Sequence, residues 1–170
     1  APLREATNLI KSLEILMRRG YFEPKRPFDA LRSLRNARIY GPFVTVMVHA
    51  LLRRPDAPAI VDELGTLTFR ELDQRSNALA RGLRQVGIAP GSVVAALCRD
   101  HRGMVLTLLA AGKLGVRVVL MNTGFAKPQF ADVANRENVR AVLLDSEFLG
   151  LPDAVPREIP RILTWVDAKD

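Results

Sequence analysis

Cysteine is almost absent from this chain of 170 residues, with Cys98 standing alone. A single thiol excludes an internal disulfide and any zinc site built on cysteines, and it fits a reducing cytoplasm. No apolar run approaches the ~20 residues needed to span a bilayer. No basic start with an apolar core and a small-residue cleavage site marks a secretory signal. Histidine is scarce, and no His or acidic cluster has metal-ligand spacing. No serine sits in a nucleophile elbow, and neither G-x-x-x-x-G-K-[ST] nor G-x-G-x-x-G occurs. The second absence excludes a nicotinamide-binding Rossmann domain. Aromatics are only 6% and are not interleaved with the arginines, which argues against a single-strand nucleic-acid platform.

What is present is a globular composition with a lopsided charge. Apolar residues make up 48% and charged residues 25%, enough for a substantial core. The net charge is +7, and all of the excess lies in residues 1–54, which hold eleven basic and four acidic residues. Residues 55–170 are balanced. The chain therefore divides into a basic helical leader, 1–54, and an α/β unit, 55–170. A basic leader on a neutral domain calls for an acidic counterpart: a phospholipid surface, a nucleic acid or an acidic face of the same protein, unless its charges are simply solvated.

The leader reads as helices. In residues 3–19, Leu3, Leu9, Ile10, Leu13, Leu16 and Met17 form one stripe, with Arg4, Lys11 and Arg18 on the other side and Gly20 as the stop. Such a basic amphipathic helix can lie on a membrane or dock on a protein. Residues 28–39 repeat the pattern more weakly. Residues 43–52 are apolar nearly all round, which predicts a buried helix with His49 as a core histidine.

From Pro55 onward the expected order is two short strands around a Gly65 turn, a helix, and then strand, helix, strand, helix, strand. Thr68 and Glu71 have the spacing of a capping box. The helix after it carries a stripe of Leu72, Ser76, Leu79, Leu83 and Val86, with Gly87 as its stop. Val93–Cys98, Val116–Met121 and Val139–Leu144 are strand-length apolar runs, separated by helices over Gly103–Leu114 and Pro128–Glu137. Strands apolar on both faces imply a mostly parallel, doubly wound sheet flanked by helices. Asp145–Pro160 holds three prolines and reads as a surface connection, and Arg161–Val166 as one more strand.

Ligands of open parallel sheets sit outside the carboxyl ends of the strands. Two loops qualify. In Cys98–Gly103, one His, one Asp and two Arg near a helix start could bind an anion or move a proton; otherwise Asp100 caps the helix and the arginines are solvated. Cys98 itself reads as an inert core thiol. Asn122–Pro128 has a Thr-Gly pair and a lysine, but one glycine is too few for a phosphate cradle, and a strand-to-helix turn fits better. The close acidic pairs, Asp62-Glu63 and Glu71 with Asp73, fit turn and helix-start positions.

The segment Leu67–Phe125 resembles the N-terminal part of the adenylate-forming (AMP-binding) superfamily. LTFREL at Leu67–Leu72 is similar to its opening motif, and Leu108–Asn122 to its second, with Met121 where proline is usual. CRDHRGM, NTGFAKPQFADV and the leader resemble actinobacterial long-chain fatty-acyl-CoA synthetases, with Asp100 where Asn is expected and Met104 where Phe is. The resemblance implies a cytoplasmic enzyme that uses ATP and Mg2+ to form an acyl-adenylate from a long-chain fatty acid. The acyl group then passes to coenzyme A or, in sister groups, to a carrier protein. The family's nucleotide and magnesium residues lie beyond the matched region, so no catalytic, cofactor-binding or metal-ligating residue is assigned here. The expectation is a fragment, inactive alone and completed by the rest of a ligase chain, with peripheral membrane contact through residues 3–19. The alternative is a stand-alone α/β binding module whose basic arm contacts membrane or nucleic acid.

Overall fold

The computed structural model describes residues 14–15 and 27–166. Apart from positions 14–15, which are helical, the expected 3–19 helix lies outside the described residues. The first long helix, α1 (Pro27–Arg53), is bent at Gly41, whose φ of +78° and ψ of 168° break the helical run. Pro42 restarts it at a position where a missing N–H costs nothing. The two arms correspond to the two expected helices. The second arm is not buried all round: Val44 and Met47 are buried, whereas Phe43, Val46 and Leu52 are exposed. An all-apolar sequence here marks a helix with one packed face and one bare one. His49 is half-buried.

A hairpin follows, with β1 (Pro58–Asp62) antiparallel to β2 (Gly65–Thr68). Gly65 has φ +90°, the left-handed geometry that glycine accepts without a Cβ penalty. Helix α2 (Phe69–Gln85) starts with the capping box as expected: Thr68 Oγ1 accepts from the Glu71 amide at 3.2 Å, and Glu71 Oε2 accepts from the Thr68 amide at 2.8 Å. The Thr68 amide, and the Thr68 hydroxyl that donates to the same Oε2 at 2.9 Å, keep the Glu71 carboxyl below its ordinary range. Thr68→Ala is expected to cost about 1 kcal/mol in urea unfolding, the usual worth of such a cap. An unchanged midpoint would show that the cap is idle.

The main sheet has four parallel strands in the order β4-β3-β5-β6. They are β3 (Val93–Leu97), β4 (Arg117–Leu120), β5 (Ala141–Asp145) and β6 (Arg161–Trp165). Helices α3 (Arg102–Leu114) and α4 (Lys127–Arg136) make the crossovers. Ala95 of β3 lies between Val119 of β4 and Val142 of β5. The two central strands are fully buried because alternate residues serve opposite layers. Val93, Ala95, Leu97, Val142 and Leu144 pack with Phe130 and Ala134 of α4, while Val94, Ala141 and Leu143 pack with Leu83 of α2 and Ala110 and Ala111 of α3. Strand β4 is at the sheet edge, so Leu120 is exposed, unlike the continuous burial its apolar run implies.

Two further expectations are corrected, and the place of Ser76 on the stripe is borne out. Val86 lies at the end of α2, where the helix unwinds, and is exposed. Ser76 is buried in the α2 stripe because Lys113 reaches it from α3: Lys113 Nζ donates to Ser76 Oγ at 2.7 Å, Asp73 Oδ1 at 2.8 Å and Asn77 Oδ1 at 2.8 Å. The connection after β5 is no surface loop throughout. It forms short 3-10 turns at Ser146–Phe148 and Leu151–Ala154, and Phe148 and Val155 enter the core beside α4. A third apolar cluster joins Val44 and Met47 of α1 to Leu72 and Leu109. Gly112 permits that contact, since a Cβ there would meet Val44 Cγ2 at 2.5 Å.

Candidate functional site

A cleft of about 920 Å³ opens at the carboxyl ends of β3, β5 and β6, under the turn of the β1–β2 hairpin. It lies where an open parallel sheet places its ligands. Its walls include the Cys98–His101 loop, Asn122 and Thr123, but not Lys127.

Asp145, the last residue of β5, is the hub of this end of the sheet and is almost wholly buried. Its Oδ2 accepts from the Arg99 amide at 2.7 Å and faces His101 Nε2 at 2.9 Å, and its Oδ1 accepts from Thr164 Oγ1 at 2.7 Å. The other imidazole nitrogen, Nδ1, accepts from the Gly103 amide at 3.0 Å. An Nδ1 that accepts leaves the ring proton on Nε2, pointing at Asp145. The imidazole stacks on Trp165 with centroids 4.4 Å apart. The Thr164 proton is committed to Asp145, so the Cys98 thiol donates to Thr164 Oγ1, 3.2 Å away. Burial pushes the Cys98 thiol up to about 11, and the Asp145 charge pushes in the same direction. Cys98 is thus a protonated thiol at neutral pH and a poor nucleophile, as its sequence position implies.

The two arginines of the 98–103 loop are already paired. Arg99 makes a fork to Glu147, with Nη2 to Oε2 at 2.7 Å, and its guanidinium holds the Glu147 carboxyl below the ordinary range. Arg102 is buried against Asp62 of the hairpin. Its Nε donates to Asp62 Oδ2 at 2.8 Å, its amide to the same oxygen at 3.0 Å, and its Nη2 to Gly65 O at 2.8 Å. The Arg102 guanidinium drives the Asp62 carboxyl far below the usual carboxylate range. The cap of α3 is His101, not Asp100. The start of α3 is therefore neutralised from within, by Asp62 and His101, and both arginines expected to be solvated or anion-binding hold carboxylates instead. Asp62 is no simple turn residue.

The Asn122–Pro128 loop is the strand-to-helix turn its sequence predicts. Asn122 Oδ1 accepts from the Gly124 amide at 2.8 Å, and Gln129 Oε1 accepts from the Ala126 amide at 2.8 Å, which starts α4. Lys127 reaches Asp153 at 3.5 Å rather than the cleft. Sequence reasoning missed Asp62, Asp145, Glu147 and Thr164. Asp145 carried one usable signal, a carboxylate at the end of a fully apolar strand; Asp62 carried none, because its partner is forty positions away.

These residues do not fit ATP with magnesium. Among the described residues no group of three or more His, Cys, Asp or Glu could hold a metal ion. Arg99, the arginine in the cleft wall, spends Nε and Nη2 on Glu147, and Arg102 lies outside the wall, buried against Asp62. What the wall supplies is a rigid floor.

The fold defines an open parallel α/β unit with a carboxyl-end cleft, and the comparisons with known proteins place it within a family. The model of the AMP-binding enzyme family matches residues 48–169, so the chain belongs to that family. The fatty acid–[acyl-carrier-protein] ligase ScoC of Streptomyces coeruleorubidus is 29% identical over 119 residues, which cover 70% of this chain and 23% of ScoC. Phosphinothricin tripeptide synthetase PhsB of Streptomyces viridochromogenes is 38% identical over 104 residues, 60% of this chain and 9% of PhsB. Mouse long-chain fatty acid transport protein 1 is 30% identical over 134 residues, 77% of this chain and 21% of that protein. The structure of O-succinylbenzoate coenzyme A synthetase (MenE) from Bacillus subtilis, in complex with ATP and magnesium ion, superimposes with a TM-score of 0.63 at 24% identity, covering 69% of this chain and 32% of MenE. That likeness establishes the fold. The chain spans less than a quarter of the length of these curated relatives.

Proposed function

We propose that this chain is the N-terminal scaffold of a longer ATP-dependent acid–thiol ligase that activates a fatty acid as its acyl-adenylate and passes it to coenzyme A. The carrying observation is the family match over residues 48–169. The fatty-acid assignment draws support from the likeness to ScoC, a fatty acid–[acyl-carrier-protein] ligase, from that to the mouse long-chain fatty acid transport protein, and from the motif series between Leu67 and Phe125. A peptide synthetase and an aryl-acid coenzyme A synthetase are also similar to this chain, and the choice of acid is tested below. A carboxylate is a poor electrophile, and adenylation gives its oxygen a good leaving group. In this reading ATP and Mg2+ are held by residues of the longer protein. The part shown contributes the cleft floor, kept rigid by Asp145 and by the Asp62–Arg102 pair. We assign the whole protein to the cytoplasm, with its 3–19 segment in contact with membrane.

Two measurements test this. Pyrophosphate release by the complete gene product with ATP, Mg2+ and coenzyme A should require a long-chain fatty acid; turnover with amino acids or benzoates alone would overturn the substrate. Titration calorimetry of the 170-residue chain with ATP and Mg2+ should give no heat of binding. Micromolar affinity would overturn the scaffold role.

A further inference from the structure

We propose that His101 is a proton-operated latch in the cleft wall: an imidazole that takes up a proton must release the Gly103 amide, uncap α3 and leave its stack on Trp165. The proposal uses residues of this chain alone and does not rest on the ligase reading. His101 has three duties at once. Its Nε2 faces Asp145 Oδ2 at 2.9 Å, its Nδ1 accepts from the Gly103 amide at 3.0 Å as the cap of α3, and its ring stacks on Trp165 with the two planes 25° apart. His101, Asp145 and Trp165 all line the cleft.

These duties are compatible only with a neutral ring. A neutral imidazole is one donor and one acceptor, which is what Asp145 and the Gly103 amide require; an imidazolium is two donors. Its Nδ1–H would point at the Gly103 N–H, donor against donor, and at the positive end of α3. The ring has no slack to absorb this in place. A Cβ on Gly103 would lie 2.7 Å from His101 Cε1 and 2.8 Å from the Thr164 carbonyl oxygen, so the imidazole is seated directly on the glycine backbone. The way out is into the cleft. The charges around the ring invite the proton. Asp145 of β5 attracts it, and Glu147 just beyond also feels the His101 charge. Arg99 is spent on Glu147 and Arg102 on Asp62. The neighbours from β3 and β6 are the protonated Cys98 thiol and the Thr164 hydroxyl, and Glu63 of the hairpin and Asp100 of the same loop add two carboxylates to the wall. Charge favours proton uptake and the cap opposes it, and a change of shape at the start of α3 reconciles the two.

The test is a titration of the full 170-residue chain from about pH 8 to about pH 5, the span in which histidine ordinarily changes charge while Asp62 stays ionised. Trp165 is the one tryptophan of the sequence, so its emission reads the stack directly. A single step in that emission is expected, and the Gly103 amide proton should move upfield in the NMR spectrum with the same midpoint as the His101 ring. His101→Asn should keep the cap, because an asparagine Oδ1 can accept from the Gly103 amide, and should lose the emission step entirely. A ring still neutral at the acid end, a ring that titrates while the Gly103 amide stays in place, or an emission step that survives in His101→Asn overturns the proposal. Should the asparagine variant fail to fold, the ring nitrogen resonances of the parent chain decide: Nδ1 should pass from the acceptor to the protonated position in step with the Trp165 emission, and an emission step without that passage counts against the latch.

Discussion

Replacing Asp145 with alanine is expected to lower the unfolding free energy by about 3 kcal/mol, because it orphans several donors at once, each worth about 1–3 kcal/mol when left buried and unpaired. The donors are the Arg99 amide, the Thr164 hydroxyl and His101 Nε2. The Thr164 hydroxyl can swing away and the imidazole has its Gly103 bond to lean on, so the cost falls short of the full sum. For a domain of this size that loss corresponds to a fall in Tm of about 6–12 °C. Asp145→Asn is the sharper variant. An amide keeps the shape but turns an NH2 toward either the Thr164 hydroxyl or the Arg99 amide and the imidazole N–H. The imidazole could relieve the second clash only by moving its proton to Nδ1, where it would face the Gly103 amide. With its NH2 toward Thr164, whose rotated hydroxyl accepts, and its Oδ1 toward the Arg99 amide and His101 Nε2, Asn is expected to rescue part of the loss and to fall short of the parent by the lost charge-assisted bonds. A scanning calorimetry trace for Asp145→Asn that overlays the parent would remove the carboxylate from its place as hub. Because β3, β5 and β6 are tied together by this one group, the cleft end of the sheet should loosen first, and hydrogen exchange at the Arg99 amide should speed up in both variants.

Arg102→Met is expected to cost about 3 kcal/mol, the lower end of the ~3–5 kcal/mol for breaking a buried pair by removing one partner. Methionine keeps most of the stem and removes the guanidinium, which leaves the Asp62 carboxylate enclosed. The lower end applies because Asp62 keeps two backbone donors, the amides of Arg102 at 3.0 Å and Leu64 at 3.1 Å. Adding Asp62→Asn to Arg102→Met should return part of the stability, since the stranded charge is what hurts. A double variant no better than Arg102→Met would show that packing, not charge, governs the site. The pair also makes acid stability predictable. The Asp62 carboxyl titrates far below its unfolded value because of Arg102. Its contribution is therefore complete above about pH 4, the unfolded carboxylate range, and drains away as pH falls toward the folded value. The parent should lose stability more steeply than Arg102→Met on going from neutral pH into acid, and urea midpoints at several pH values will show whether the curves converge.

Both predictions concern residues whose importance cannot be read along the chain, and the reason is the range of the interactions. The Thr68–Glu71 cap, the Gly87 helix end, the Asn122 turn and the Gly41-Pro42 break are made by groups within a few residues of one another. Their chemistry is written locally. The apolar runs of β3 and β5 are also local facts, and burial on both faces follows from them. Asp62 with Arg102, Arg99 with Glu147, and Asp145 with Thr164 join residues that periodicity cannot place side by side. Their meeting depends on the strand order β4-β3-β5-β6, which sets β5 beside β3 and brings β6 to its other edge. The loop 98–103 looked like an anion site for the same reason: its charges were visible and their partners were not.

The sequence alone determined the alternation of strands and helices, the parallel sheet and the family, because each rests on short-range patterns that survive in one dimension. Only the tertiary structure decided that the arginines of the 98–103 loop are spent on carboxylates, that Asp145 anchors the sheet, and that α1 leaves apolar side chains exposed. Those outcomes depend on which groups desolvate together. That is settled by packing in three dimensions, where a charge forty positions away can be a neighbour and an apolar side chain one turn along can be left outside.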